Sequence, residues 1–487
     1  MSRPVGYPAE GFDLANIAIQ ANPFPAYAWL RAHAPVYKLR DMPMWVVSRH
    51  EEVEAVLRDP ATFASDLGMS VPLMSIVMKD APDHTRLRST INRAFTPRAV
   101  QHLQPRITEV AHALLDGAQG RMEFVHGYAT PLSVTVICEM LGVPLTQRDA
   151  MNRHARDALL ASFAATGMGS PALLAEAREG LTRLMAILDA AIERHLREPS
   201  DNIISTLVTD EAKGVLSREE LRNLCALLLI GGHETTANLI ASGAYILAET
   251  PALWRQLKDA PALVAGFVEE LARMRPPLQR IARRVTRAVT LAGVDLPANA
   301  MLMLFPGSAN RDPARWPGPD TLDLRRDGRG HLGFGTGVHT CPGAPLARME
   351  ARIAFEVLLA RSDSLRLDPD ERAIPVVGYA AGNLGWNVLP VIRTEAKVAT
   401  MQSPQGAAEQ DVLETVCAVA AASLGLERAD IDAATCARNT PEWDSLAHLV
   451  ILDAIEKALA VKLPRRAAYT AKDVGELVAL VVATRAG

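Results

Sequence analysis

HLGFGTGVHTCPGAPLARMEARIAFEVLLA, residues 331–360, sets one cysteine between a glycine-rich loop and a long helix. Glycines let a backbone bend and approach a flat ligand closely. A cysteine just ahead of a helix meets free amide groups and the positive end of the dipole, which favour thiolate over thiol. An axial ligand to iron has these needs. A lone cysteine is more commonly a small buried apolar residue, and Cys138, Cys225, Cys417 and Cys436 are read that way. The residues around Cys341 separate it from the other four.

The chain of 487 residues is 49% hydrophobic, with 51 basic against 55 acidic side chains and a net charge of −4. The balance calls for neither nucleic acid nor an anionic membrane. Five scattered cysteines fit no disulfide framework and no zinc site, as expected for a reducing cytoplasm. The first thirty residues show neither a signal peptide nor an unbroken apolar anchor, so a soluble cytoplasmic protein is expected. Amphipathic runs such as EEVEAVLRD and LTRLMAILDAAIERHL fill most of the first 390 residues. Strand patterns are few: VYKLR, MWVVSR, the stretch 289–305 and NVLPVIR. A mainly α domain with minor β-sheet is expected.

Phe334, Gly335, Gly337, His339, Cys341 and Gly343 spell F-G-x-G-x-H-x-C-x-G, and here the chain resembles the cytochrome P-450 family. The resemblance runs from about residue 10 to 393 and implies that family's helical fold, haem b as cofactor and Cys341 as axial ligand to the haem iron. It casts Phe334, Gly335, His339 and Gly343 as the haem-binding loop. Glu270 and Arg273 form E-x-x-R on one helical face and resemble the family's buried structural pair. Asn310, Arg311 and Asp312 would organise backbone ahead of the loop. His84 and Arg88, one helical turn apart, together with Arg283 and His339, resemble ligands of the two haem propionates. Arg284 competes with Arg283, but Gly293 falls ten residues after Arg283, the family spacing.

LLLIGGHETTANLI, residues 227–240, resembles the distal helix whose local opening admits dioxygen. On that reading Gly231 and Gly232 line the opening, while Glu234 and Thr235 form the acid and alcohol of a proton relay. The chain shows no flavin or iron–sulfur pattern, so electrons should come from a ferredoxin and its NAD(P)H-dependent reductase. Arg86, Arg93, Arg98 and Arg348 could dock an acidic donor. SDLGMSVPLMSIVM, PLQRIA and GYAAGNLGW resemble substrate-facing segments, with Gln279, Tyr379 and Asn383 as polar contacts.

Periodicity lapses from Thr394 to Gln410, read as a flexible linker spanning about 20–25 Å. Residues 411–487 then carry three amphipathic runs, enough for a small helical bundle. PEWDSLAHL within them resembles the centre of acyl or peptidyl carrier proteins, in which the serine of D-S-L receives 4′-phosphopantetheine. Ser445 beside Asp444 at a helix start would place the phosphate where amides favour an anion; the plainer reading is an ordinary cap. Partners on this reading are a phosphopantetheinyl transferase and an enzyme that loads an acyl or aminoacyl group. Three functions follow: a monooxygenase hydroxylating a group tethered to its own carrier, a monooxygenase acting on a free molecule while the carrier serves other enzymes, or a haem-binding sensor without turnover.

Overall fold

The computed structural model describes residues 12–14, 16–40, 43–68, 76–116, 118, 120–164, 171–377, 382–396, 404–432, 435–436, 440–471 and 473–486. The chain divides into two compact units, Met1–Ala396 and Lys397–Gly487.

A central helix, Arg218–Glu249, organises the first unit. Its start is set by a reciprocal cap: Ser217 Oγ accepts the Glu220 amide at 3.1 Å, and the Glu220 carboxylate accepts the Ser217 amide at 2.9 Å. Apolar residues line it on nearly every side, as a helix enclosed by others requires, and Leu224, Ile240, Ala244 and Leu247 are fully buried. Among the described residues it is the one helix long and apolar enough to cross a membrane, and most of its apolar stretch is packed inside the fold. Contrary to the opening expected at Gly231 and Gly232, it stays α-helical throughout. Neighbouring helices offset the roughly 1 kcal/mol that each glycine costs. Two of these, Val264–Met274 and Ala344–Arg361, close on the central helix at Gly243, where a Cβ would lie 2.6 Å from Leu271 Cδ1 and overlap Phe355.

Among the described residues the largest sheet has five strands, in the order Val36–Lys38, Met44–Val47, Met301–Leu304, Ile281–Val285 and Phe63–Ala64. Met44–Val47 runs parallel to Met301–Leu304; the other pairs are antiparallel. Strand alternation sends neighbouring side chains to opposite faces. Arg283 is thereby buried, whereas Arg284 hydrogen-bonds Asp66 O and Asn299 Oδ1 on the outer side. Ile281–Val285, Gly120–Glu123 and Ser362–Leu367 are strands that the sequence did not announce. Each is short and interrupted by charge, and long-range pairing rather than local pattern makes it a strand.

The second unit holds helices Pro404–Leu424, Ser445–Leu459, Arg465–Thr470 and Val474–Ala486. Val412, Val416, Leu424, Trp443, Ile451, Ile455, Leu477 and Val481 form its own core. The six-residue helix Arg465–Thr470 is additional to the three expected runs; RRAAYT is too short to show a period. The linker bounds also need correction. The last strand of the first unit, Pro390–Glu395, extends past Thr394, and the first helix of the second begins at Pro404, with proline in the first turn where its missing N–H costs nothing. Residues 397–403 lie outside the described residues.

Candidate functional site

The cysteine loop is shaped by its glycines. Gly335 and Gly337 have φ of 68° and 72°, a region that a side chain enters only under strain. At Gly337 a Cβ would also fall 2.6 Å from Leu57 O. These turns return the chain so that the Cys341 amide donates to Phe334 O at 2.9 Å. Gly343 caps the cysteine helix, Ala344–Arg361, and a Cβ there would lie 3.9 Å from Cys341 Sγ. Gly337→Ala is expected to cost about 2–4 kcal/mol, from left-handed strain plus the clash with Leu57, and thermal unfolding of the purified protein measures it.

Cys341 keeps accessible surface, yet burial pushes its thiol pKa up, against the amides of Gly343 and Ala344 and the charge of Arg88. An accessible sulfur that is nonetheless desolvated lines a recess within the fold. On the central helix, a Cβ at Gly231 would meet nothing within 4 Å, so Gly231 borders open space. Gly232 does not: its Cβ position is 2.8 Å from Ile137 Cδ1, and it is a packing contact with helix Thr130–Leu141 rather than part of an opening.

The predicted propionate ligands converge. The His84 and His339 rings lie 4.0 Å apart. His339 Nε2 is 2.9 Å from Ser65 Oγ, while the buried His84 Nε2 has no partner among the described residues. Burial, then the neighbouring His84 and Arg283, pushes His339 down to about 3, and burial, then Arg88, lowers His84. Arg283 is held down to about 10 by burial, and Arg88 is lowered by burial as well. Neither arginine has an ion pair among the described residues. Arg88 spends its donors on Asn92 Oδ1 and Thr340 O, Arg283 on Ala282 O. One buried cation, Arg283, a half-buried one, Arg88, an orphaned imidazole nitrogen and a recess with a thiol on its wall fit a flat macrocycle that carries two carboxylates. The residues therefore fit haem b, which Cys341 would hold at the iron and His84, Arg88, Arg283 and His339 would hold at the propionates. Bound there, haem supplies the iron at which dioxygen is reduced and a C–H bond oxidised.

On the central helix Thr235 Oγ1 donates to Gly231 O at 2.8 Å. Glu234 Oε1 accepts from Asn383 Nδ2 at 3.1 Å. Asn383, expected to contact substrate, is thus engaged by Glu234. Gln279 is corrected too: it is buried, its Nε2 donates to Pro276 O, and its side chain packs over Gly307. Leu278 beside it is the exposed residue, 41% accessible, and is bridged to Asn383. Strand alternation at PLQ was the signal that could have assigned these roles. Tyr379 and residues 69–75 of the first substrate-facing segment lie outside the described residues.

Glu270 and Arg273 form a bidentate pair of 2.6 and 2.9 Å with both side chains buried. Asn310 and Asp312 accept backbone amides, from Leu332 at 2.6 Å and His50 at 2.9 Å. The proposed donor-docking arginines fare differently. Arg86 pairs with Glu220, Arg93 with Asp210 and Arg348 with Glu269, so three of the four already have carboxylate partners. Arg98 is exposed, with no ion pair among the described residues.

The protein-family model described as Cytochrome P450 matches residues 175–372. Vitamin D(3) 25-hydroxylase of Pseudonocardia autotrophica is 40% identical over 375 residues, 74% of this chain and 91% of that protein. Cytochrome P450 monooxygenase PikC of Streptomyces venezuelae is 36% identical over 77% of this chain and 89% of its own length. The solved structure of P450BioI in complex with hexadec-9Z-enoic acid ligated acyl carrier protein superposes with a TM-score of 0.71 at 33% identity, covering 77% of this chain and 99% of that one. Sequence, fold and the recess around Cys341 agree, and the chain belongs to the cytochrome P-450 family of monooxygenases.

Proposed function

We propose that this monooxygenase hydroxylates an acyl or aminoacyl group held as a thioester on a phosphopantetheine arm at Ser445 of its own second unit. One observation carries the reading: residues 404–486 form a separate four-helix unit with its own core, and Ser445 is the first residue of its second helix. The P450BioI complex is a case of a related fold meeting a carrier-borne acyl group. Electrons come from a ferredoxin and its NAD(P)H-dependent reductase, and a phosphopantetheinyl transferase and a loading enzyme prepare the arm. Tethering would fix which carbon enters the recess by limiting the reach of the chain, a positioning effect.

The cap at this helix revises one detail. The Asp444 carboxylate accepts the amides of Leu446 and Ala447 at 2.9 and 2.8 Å, so the helix already has its anion. The arm's phosphate would then be held away from those two amides. Trp443 Nε1 donates to His448 Nδ1 at 3.1 Å, and His448 Nε2 reaches Ala468 O at 3.0 Å, which ties the serine helix to helix Arg465–Thr470. Leu446, Leu449, Val450 and Tyr469 are exposed, and the acids of the serine helix are paired with Lys457 and Lys462. Partners of this unit would meet an apolar face of little net charge.

The test is intact mass after expression with a phosphopantetheinyl transferase. A phosphopantetheine increment is expected in the wild type and none in Ser445→Ala. An increment that survives in the variant, or never forms in the wild type, ends the carrier reading. With the arm loaded and donor proteins added, gain of one oxygen on the carrier-borne group identifies it as substrate. Oxidation of free molecules alone, the reading nearer to a vitamin D(3) hydroxylase, would leave the carrier to other enzymes.

A further inference from the structure

Arg348 lies on helix Ala344–Arg361, about two turns beyond Cys341, and its side chain is half-buried. Its Nε donates to Glu269 Oε1 at 2.5 Å and its Nη2 to Glu269 Oε2 at 3.2 Å. The guanidinium stands 4.3 Å over the ring of Phe334. Glu269 belongs to the E-x-x-R helix, immediately before Glu270, and its second oxygen also meets His331 Nε2 at 3.1 Å. Because His331 Nδ1 accepts the Gly333 amide at 3.1 Å, the proton of a neutral His331 must sit on Nε2, where it faces Glu269. His331 and Phe334 are also in ring contact, with centroids 5.8 Å apart.

Three elements meet at one carboxylate: the helix of Glu269, the loop start at His331 and the helix that follows Cys341. Burial works against the Glu269 charge, but the hydrogen bonds from His331 and Arg348 outweigh it and hold the carboxyl down to about 2. Glu269 therefore keeps its charge throughout the neutral range. Phe334, clamped between His331 and Arg348, is the residue whose carbonyl receives the Cys341 amide. A chain of contacts thus leads from Glu269 through Arg348 and Phe334 to the backbone of the sulfur residue. The Arg348 guanidinium, though partly exposed, is already paired with a carboxylate of its own protein.

We infer that Glu269, His331 and Arg348 are positioning residues that fix the Phe334–Cys341 loop and so preserve thiolate ligation of the haem iron, and that Arg348 does not serve to dock the electron donor. The inference rests on Cys341 being the haem ligand.

The experiment compares wild-type holoenzyme with Arg348→Ala, Arg348→Lys and Glu269→Gln. Its main readout is the Soret position of the reduced carbon monoxide complex followed over time, because that band distinguishes thiolate from thiol ligation. Arg348→Ala and Glu269→Gln should lose the thiolate band about tenfold faster than wild type, and Arg348→Lys, which keeps charge but not the planar fork, should fall between. Affinity for a ferredoxin, measured by titration on the same samples, should change less than about twofold, because a charge already paired on its own protein adds little to docking. Thiolate bands as durable as wild type in both Arg348→Ala and Glu269→Gln would overturn the inference. So would loss of ferredoxin affinity in Arg348→Ala with the band intact. Failure of the underlying ligand assignment looks different: the wild type would show no thiolate band, or Cys341→Ser would retain it.

Discussion

Arg273→Ala is expected to destabilise the first unit by about 3–5 kcal/mol, the cost of stranding one member of a buried ion pair. Against a total stability of roughly 5–15 kcal/mol, that threatens the fold itself. The guanidinium is fully buried and serves three partners besides Glu270: its Nη1 donates to Asn310 O and Pro319 O, each at 2.8 Å, and its Nη2 to Thr321 O at 3.4 Å. Its removal leaves Glu270 with the Asp323 amide at 3.0 Å and Arg326 Nε at 3.3 Å, too few donors for a carboxylate in so dry a place. The carbonyls of Asn310 and Pro319 lose their donor in the same step. Because Asn310 Oδ1 also holds the Leu332 amide, the damage passes directly into the start of the cysteine loop. Denaturant unfolding measures the loss, and the comparison with Glu270→Gln is informative. That change keeps the shape and removes the charge from the same pair, so it too should destabilise. The core of residues 404–486 contains neither residue, and unfolding of that isolated segment supplies a baseline that Arg273 cannot influence.

How much of this was legible in the sequence follows the distance over which each feature is made. The cysteine loop was readable because its glycines, His339 and Cys341 are contiguous and their chemistry is local. His84 and Arg88 were readable as a pair because a helix brings residues four apart onto one face. Arg283 could be chosen over Arg284 only through family spacing, and the sheet supplies the physical reason, since alternation buries one and leaves the other half-buried. Partnerships across long separations left no local trace. Nothing in RSTINRAF indicates that Arg93 will find Asp210, and nothing in GNLGW indicates that Asn383 will reach Glu234. The carboxylate partners of Arg86, Arg93 and Arg348 were hidden for this reason: a carboxylate far away in sequence is invisible to a count of local charge. The helix start at Pro404 was missed differently. PQGAAEQ has a weak period of its own, and it is helical as the extension of a run whose apolar face is buried further on, from Val412 to Leu424.

Thr235→Ala and Glu234→Gln are each expected to lower product formation by about 10²–10⁴-fold, the usual share of a positioned proton donor. Oxygen and reductant should still be consumed, with hydrogen peroxide appearing in place of oxidised substrate. A relay through these residues would need both groups. In the resting arrangement the Thr235 hydrogen is given to Gly231 O, so the hydroxyl is an acceptor first and must receive a proton before it can pass one onward. Glu234 is the nearest acid in sequence, and Asn383 holds one of its oxygens without neutralising it. Thr235→Ser should retain most activity, because it keeps the oxygen and the bond to Gly231 and loses only a methyl group. Glu234→Gln is the sharper test of the acid, since it preserves size and removes the ability to release a proton. The measurement is the ratio of hydrogen peroxide to product at equal reductant consumption. Unchanged ratios in Thr235→Ala and Glu234→Gln would show that protons reach the site by another route. A raised ratio in Thr235→Ala alone would make the hydroxyl the working group and Glu234 an anchor for Asn383.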